Sequence, residues 1–213
     1  MRKMLGFIFI IAGGLLVATS LYLIYHHKFA TEQSLQEAES LLAEHAETNQ
    51  VVFNPGDNNT NKERDRQQRL EELRKQFSPK AGDVIGVLHI PKIDAKLPII
   101  EGTDEDMLER GVGHYSPTVF PGDKEQILLS GHRDTIFRKM GDLEKGDKFI
   151  VEMLYGTFEY EMRENEIVPA DDTTTIRPMG EEVLTLSTCY PFTFIGSAPD
   201  RYIIYAYPIS NEK

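Results

Sequence analysis

From residue 84 onward the chain is cut into strand-length runs by turn-forming residues, and this punctuation limits what it can fold into. Residues 84–90 are mostly apolar and stop at Pro91. Residues 96–100 form a second run, whose Pro98 favours an edge or a bulge because proline has no N–H for a ladder. Runs at 126–130, 148–154, 157–163, 166–169, 183–188 and 201–208 follow. Tyr155-Gly156 joins two of them in the manner of a hairpin. In 157–163, Phe158, Tyr160 and Met162 alternate with polar neighbours, so one face is buried and the other wet. Residues 103–110 read as a helix, with acids in the first turn and Gly111 as a stop. Eight short strands with little helix predict an all-β fold, a sandwich or a closed barrel.

The N-terminal part has another texture. Residues 4–25 carry no charge and are rich in Ile, Leu, Phe and Gly. A helix of that length, at about 1.5 Å per residue, matches a hydrocarbon core roughly 30 Å thick. The stretch is longer than a secretory h-region of roughly 7–15 residues, and no A-x-A cleavage pattern follows. Arg2 and Lys3 precede it and Lys28 follows. The expectation is a retained single-pass anchor, with a short cytoplasmic tail and the rest outside the cell. Leu35, Ala38, Leu41 and Leu42 then recur at helical spacing, behind a Ser34-x-x-Glu37 capping box. Residues 50–61 read as a linker, and Asn58-Asn59-Thr60 fits a glycosylation sequon of low specificity. Residues 62–77 read as a solvated helix with Leu70, Leu73 and Phe77 as a narrow apolar stripe. The expected organisation is a tail and transmembrane anchor at 1–28, a stalk with helical segments at 29–80, and the β-domain at 81–213.

The formal net charge of −11 argues against a nucleic-acid binder, which needs a basic footprint. The single cysteine forbids an internal disulfide. That cysteine ends Thr185-Leu186-Ser187-Thr188-Cys189, at the close of an apolar run. It is either an inert buried thiol packed as a small hydrophobe or a nucleophile presented at a strand end. A nucleophilic thiol needs a base or a cation, because its free pKa of about 8.5 leaves little thiolate at neutral pH. His26, His27 and His45 fall in the N-terminal part and read as solvated, and His89 falls inside a strand. His114 follows Gly111-Val112-Gly113 in an expected loop. His132 follows a strand, in Ser130-Gly131-His132-Arg133-Asp134-Thr135. An imidazole can serve first as charge partner and then as acid for a leaving amine. Arg201 opens the last run, twelve positions after Cys189 (201 − 189). If those two strands are neighbours, its guanidinium reaches the thiol and can hold an oxyanion or a substrate carbonyl. Otherwise it is a surface Arg paired with an acid such as Asp200. No C-x-x-C or H-E-x-x-H spacing occurs, so neither metal nor cofactor is expected.

Taken together, the His132 motif, the T-L-x-T-C strand and Arg201 resemble the sortase family. Ile85-Gly86-Val87-Leu88-His89-Ile90-Pro91, Gly113-His114-Tyr115 and Phe120-Pro121-Gly122 add to the resemblance, which covers roughly 81–208. The compact domain, without a long lid or a second C-terminal span, is most similar to class D members. The resemblance implies an eight-stranded β-barrel cysteine transpeptidase on the outer face of a Gram-positive membrane, held there by residues 4–25. It implies Cys189 as nucleophile, His132 as acid/base and Arg201 as the oxyanion or substrate-orienting cation. It implies LPxTG-like C-terminal sorting signals and a peptidoglycan precursor amine as substrates. Thr188, beside the thiol, reads as a substrate-binding residue, and 167–180 as a region that helps set peptide choice. Some relatives bind calcium through acidic loops, but Asp171-Asp172 reads as an exposed acidic loop and no metal ligand is assigned. Two further readings remain open: a cysteine endopeptidase that only hydrolyses, and an anchored β-domain with no catalysis.

Overall fold

Val84–Ile90 (β1) is apolar along most of its length because both of its faces are covered. Ile85, Leu88 and Ile90 enter the main core, while Val84 and Val87 face outward under an N-terminal helix. The computed structural model that shows this describes residues 2–50, 59–193, 196 and 198–209. Ala95–Glu101 (β2) pairs antiparallel with β1 over its whole length. Its other edge takes Val112–His114 (β3) in parallel only from Ile99, one residue past Pro98. Gln126–Ser130 (β4), Lys148–Met153 (β5), Gly156–Pro169 (β6), Val183–Tyr190 (β7) and Asp200–Pro208 (β8) complete the set. The strands close in the order β1-β2-β3-β4-β7-β8-β6-β5, with β5 returning to β1. Closure leaves no free sheet edge and selects the barrel over the sandwich. Leu88, Phe149, Tyr160, Leu184 and Ile204 fill its interior.

The strand count of eight is reached with a different membership from that expected. Residues 112–114 read as loop from sequence, yet they form β3. A three-residue strand flanked by glycine carries no periodic signal. Gly113 is required there, since a Cβ would lie 2.5 Å from the Gly102 carbonyl. Conversely, the runs 157–163 and 166–169 are one strand, β6. Its register slips between Met162 and Glu164, a bulge that hides the continuity in polar residues. The expected helix near 103–110 is Glu105–Arg110 (α3).

The N-terminal part is helical. One helix, Arg2–Gln50 (α1), runs unbroken through both the uncharged stretch and the Leu35–Leu42 stripe. Part of it is docked on the barrel wall. Ala38 is buried against the outer faces of β1 and β2, with Leu35 and Leu42 beside it. Lys96 Nζ donates to Glu39 Oε1 at 2.5 Å, and that bond raises the lysine's pKa. Arg110 of α3 reaches Ser34 Oγ at 3.3 Å. Among the described residues no helix is long and apolar enough to cross a membrane, so the anchor reading of 4–25 rests on the sequence. The linker core at 51–58 and the sequon's Asn58 lie outside the described residues. Asn59–Gln76 (α2) lays Leu73 against the core, followed by Phe77. Phe77 meets Phe120 and Tyr155 edge-on at 5.0 and 5.2 Å. The Arg74 guanidinium covers both of those rings and pairs with Asp123.

Candidate active site

Strand alternation decides which side chains of β7 can do chemistry. Leu184 and Leu186 point into the core, and Thr188 follows them inward. Ser187 and Cys189 therefore face outward and are half-buried. Cys189 opposes Arg201 in the antiparallel β7–β8 ladder. Residues directly opposite on one face have Cβ atoms roughly 5 Å apart, so thiol and guanidinium share one patch. Arg201 itself donates to the Asp200 carbonyl at 3.1 Å. Beyond the thiol, Tyr190, Phe192 and Tyr202 pack on one another at centroid distances of 5.3–6.2 Å and fix the strand end.

His132 arrives from the other neighbour of β7. Strand β4 runs parallel to β7, and Ser130 pairs with Ser187. Gly131 then turns the chain. Its N–H donates to Ser187 O at 3.1 Å and its carbonyl accepts from Thr188 Oγ1 at 2.7 Å. A Cβ at Gly131 would meet the Phe137 ring at 2.7 Å, so glycine lets the turn sit against that buried ring. Phe137 N closes the turn onto His132 O at 2.8 Å. Arg133 bridges across the site, donating to Pro191 O at 3.2 Å and Gly196 O at 2.8 Å. The result is a cavity of about 250 Å3 lined by His132, Arg133, Asp134, Cys189, Gly196, Ala198 and Arg201. The three residues expected to do chemistry thus border one space. A half-buried thiol on a cavity wall is unlike an inert core cysteine. On the open side, Glu105 Oε1 of α3 lies 3.5 Å from His132 Nε2.

Thr188 and His114 are both buried and hydrogen-bonded within the barrel. Thr188 is 3 % exposed and donates its hydroxyl to Gly131 O. It ties the strand of Cys189 to the His132 turn. His114 is 1 % exposed and lies on β3, paired with Leu129 of β4. Its Nδ1 is 2.7 Å from Glu101 Oε2, and its Nε2 is 3.1 Å from Val119 O. The nearby Thr118 hydroxyl donates to Tyr115 O and accepts from Leu128 N–H. Nε2 therefore faces acceptors and must carry a proton, which leaves a buried imidazole–carboxylate pair with a structural role.

The side chains that hold the expected 167–180 region in place gave no sequence signal. The segment between β6 and β7 starts beside the site, where Ala170 N donates to Pro199 O at 2.9 Å. It then crosses the outer face of β7. Buried Gln126 pins it: Nε2 donates to Thr175 O at 2.7 Å and Oε1 accepts Arg177 N–H at 3.1 Å. Glu125 accepts the N–H groups of Met179 and Gly180, and the first of these holds its carboxyl below the ordinary value of 4.5. Asp172 caps the same segment through Thr174 N at 2.7 Å. A second cavity, about 270 Å3, opens between residues 117–119 and 176–178.

This barrel, with Cys, His and Arg converging at one rim, is the architecture of a cysteine transpeptidase. A family description, Sortase domain, matches residues 88–209. The chain is 44 % identical over 207 residues to sortase D of Bacillus subtilis (strain 168), covering 96 % of this chain and 98 % of that protein. It is 33 % identical to sortase SrtE1 of Streptomyces coelicolor over 69 % of this chain and 44 % of that one. Among solved structures, a Clostridium perfringens sortase D5 transpeptidase matches with TM-score 0.62 and 27 % identity, over 85 % of this chain and 99 % of that one. The catalytic domain of Bacillus anthracis SrtD matches at TM-score 0.54 and 42 % identity, over 63 % of this chain and 93 % of that one. The chain belongs to the sortase family of cysteine transpeptidases, with class D relatives.

Proposed function

We propose that the protein cleaves an LPxTG-like sorting signal after its Thr and passes the acyl group to a peptidoglycan precursor amine. The observation that carries this reading is the pairing of Cys189 with Arg201 inside a cavity that His132 also lines. Cys189 attacks the Thr carbonyl as the thiolate. Arg201 holds the oxyanion that forms, through a planar fork of donors suited to that charge. His132 gives its proton to the leaving Gly amine, and a thioester remains on Cys189. The incoming amine then attacks the thioester, and His132 takes the proton it loses.

The peptide would lie along the outer face of β4 and β7, where Ser130 and Ser187 are half-open. The 170–182 segment and residues 117–119 would form its walls. Residues 4–25, with no charge in 22 positions (25 − 4 + 1), would anchor the chain in the membrane with the barrel on the extracellular face. The continuous α1 supports a short, stiff link between that anchor and the barrel.

The test incubates the full chain with a fluorogenic LPxTG-type peptide, with and without an amine acceptor. Wild-type protein should cleave the peptide and form an amide product when amine is present. Cleavage equal to that of Cys189→Ala would contradict the reading, and hydrolysis alone under excess amine would reduce it to an endopeptidase.

A further inference from the structure

We propose that Asp134 forms the subsite for the second substrate, holding a protonated primary amine beside the acylated thiol. This rests on the transpeptidase reading above and names a residue for its second half-reaction. Transfer to an amine poses a charge problem, because a primary amine is an ammonium ion at neutral pH. The thiol cavity carries two guanidinium groups, from Arg133 and Arg201, and these repel that ion. Both are turned onto main-chain carbonyls: Arg133 onto Pro191 O and Gly196 O, and Arg201 onto Asp200 O.

Asp134 is the only carboxylate among the cavity's lining residues, and it stands two positions from His132. It is exposed and makes no hydrogen bond or ion pair among the described residues. Three carboxylates of neighbouring elements are already engaged. Glu105 faces His132, Asp172 caps a turn, and Glu166 accepts from Tyr205. Asp134 is thus left with open acceptor sites on the wall that an incoming amine must pass.

The chemistry balances with groups on the page. In the acyl-enzyme His132 is neutral, having given its proton to the departing peptide amine. An ammonium docks on Asp134 and releases one proton to solvent. The resulting amine keeps an N–H bond to the carboxylate and attacks the thioester carbonyl. The C–N bond forms, the C–S bond breaks, the thiolate departs, and the second proton passes to His132. Amide, thiolate and imidazolium result.

The test compares full-length wild type, Asp134→Asn and Asp134→Glu with saturating LPxTG-type peptide at neutral pH. Two acceptors are used: glycinamide, which is largely cationic there, and hydroxylamine, which is largely uncharged. The KM for glycinamide should rise roughly three- to fivefold in Asp134→Asn, the range of one partly exposed ion pair. The KM for hydroxylamine in that variant, and for glycinamide in Asp134→Glu, should stay within about twofold of wild type. An unchanged glycinamide KM, or an equal rise for both acceptors, would overturn the assignment. Wild-type protein that gives only hydrolysis with both acceptors would instead bring down the transpeptidase reading on which it stands.

Discussion

Arg201 and Cys189 face each other across a two-strand ladder, so the shape of the cation matters as well as its charge. In Arg201→Lys a point charge replaces a planar fork. Turnover should fall about 100-fold, the scale of losing one oxyanion donor, while thermal unfolding stays where it is. Near-normal turnover would remove Arg201 from the mechanism. The two histidines should separate by the kind of damage their loss causes. His132→Ala should abolish turnover and leave stability nearly intact. His114→Ala leaves the buried Glu101 carboxylate without its partner and should cost about 3 kcal/mol of stability in a denaturant melt. The reverse pattern would exchange their roles. From sequence, both histidines follow a glycine, and their motif contexts alone distinguish them. Cys189, His132 and Arg201 could be picked out because strand ends and strand alternation are local properties. The inward turn of Thr188 was equally implied by alternation, since it lies two residues past Leu186, but its place beside the thiol suggested substrate.

At the scale of elements, the 170–182 segment is held by two neighbouring side chains at the start of β4, Glu125 just before it and Gln126 its first residue. Glu125 gains stability from backbone N–H groups that exist in this geometry only when the segment is folded, and they depress its pKa. A depressed folded-state pKa means the contribution is present above the unfolded value and fades as pH falls through the folded one. Hydrogen exchange in 170–182 should therefore accelerate as pH falls below the ordinary carboxyl value of 4.5 and on through the depressed folded-state value, and Glu125→Gln should show that faster exchange already at neutral pH. Equal protection in both proteins across this range would sever Glu125 from the segment. Nothing in the sequence marks Glu125 or Gln126 for this task, because their partners lie about 50 positions away, at 175–180. Long-range polar contacts leave no periodic trace. For the same reason β3 went unseen, and the bulge in β6 made one strand read as two.

The whole molecule is a closed barrel with a helix laid along its wall. Sequence punctuation limited the fold to all-β, but a sandwich and a barrel share that punctuation. The choice lies in the β5–β1 pairing, a contact between residues more than 60 positions apart. The docking of α1 was half legible: the Leu35–Ala38–Leu42 stripe was visible, while the surface it covers was not. That surface is the outer face of β1, which explains why β1 is apolar on both sides. Ala38→Glu places a charged side chain where a methyl group is 1 % exposed. It should lower stability by roughly 2 kcal/mol and expose the 31–42 stretch to limited proteolysis. Unaltered melting and cleavage would show that the helix stands off the barrel.

All three scales converge on a covalent event at one sulfur atom. Intact-mass measurement of the full chain, quenched during turnover of an LPxTG-type peptide, reads that event directly. The account predicts an adduct equal to the peptide's acyl portion ending in Thr. The adduct should map to Cys189, be absent in Cys189→Ala, and discharge when an amine is added. Peptide cleavage with no such adduct, or an adduct on any residue other than Cys189, would contradict it.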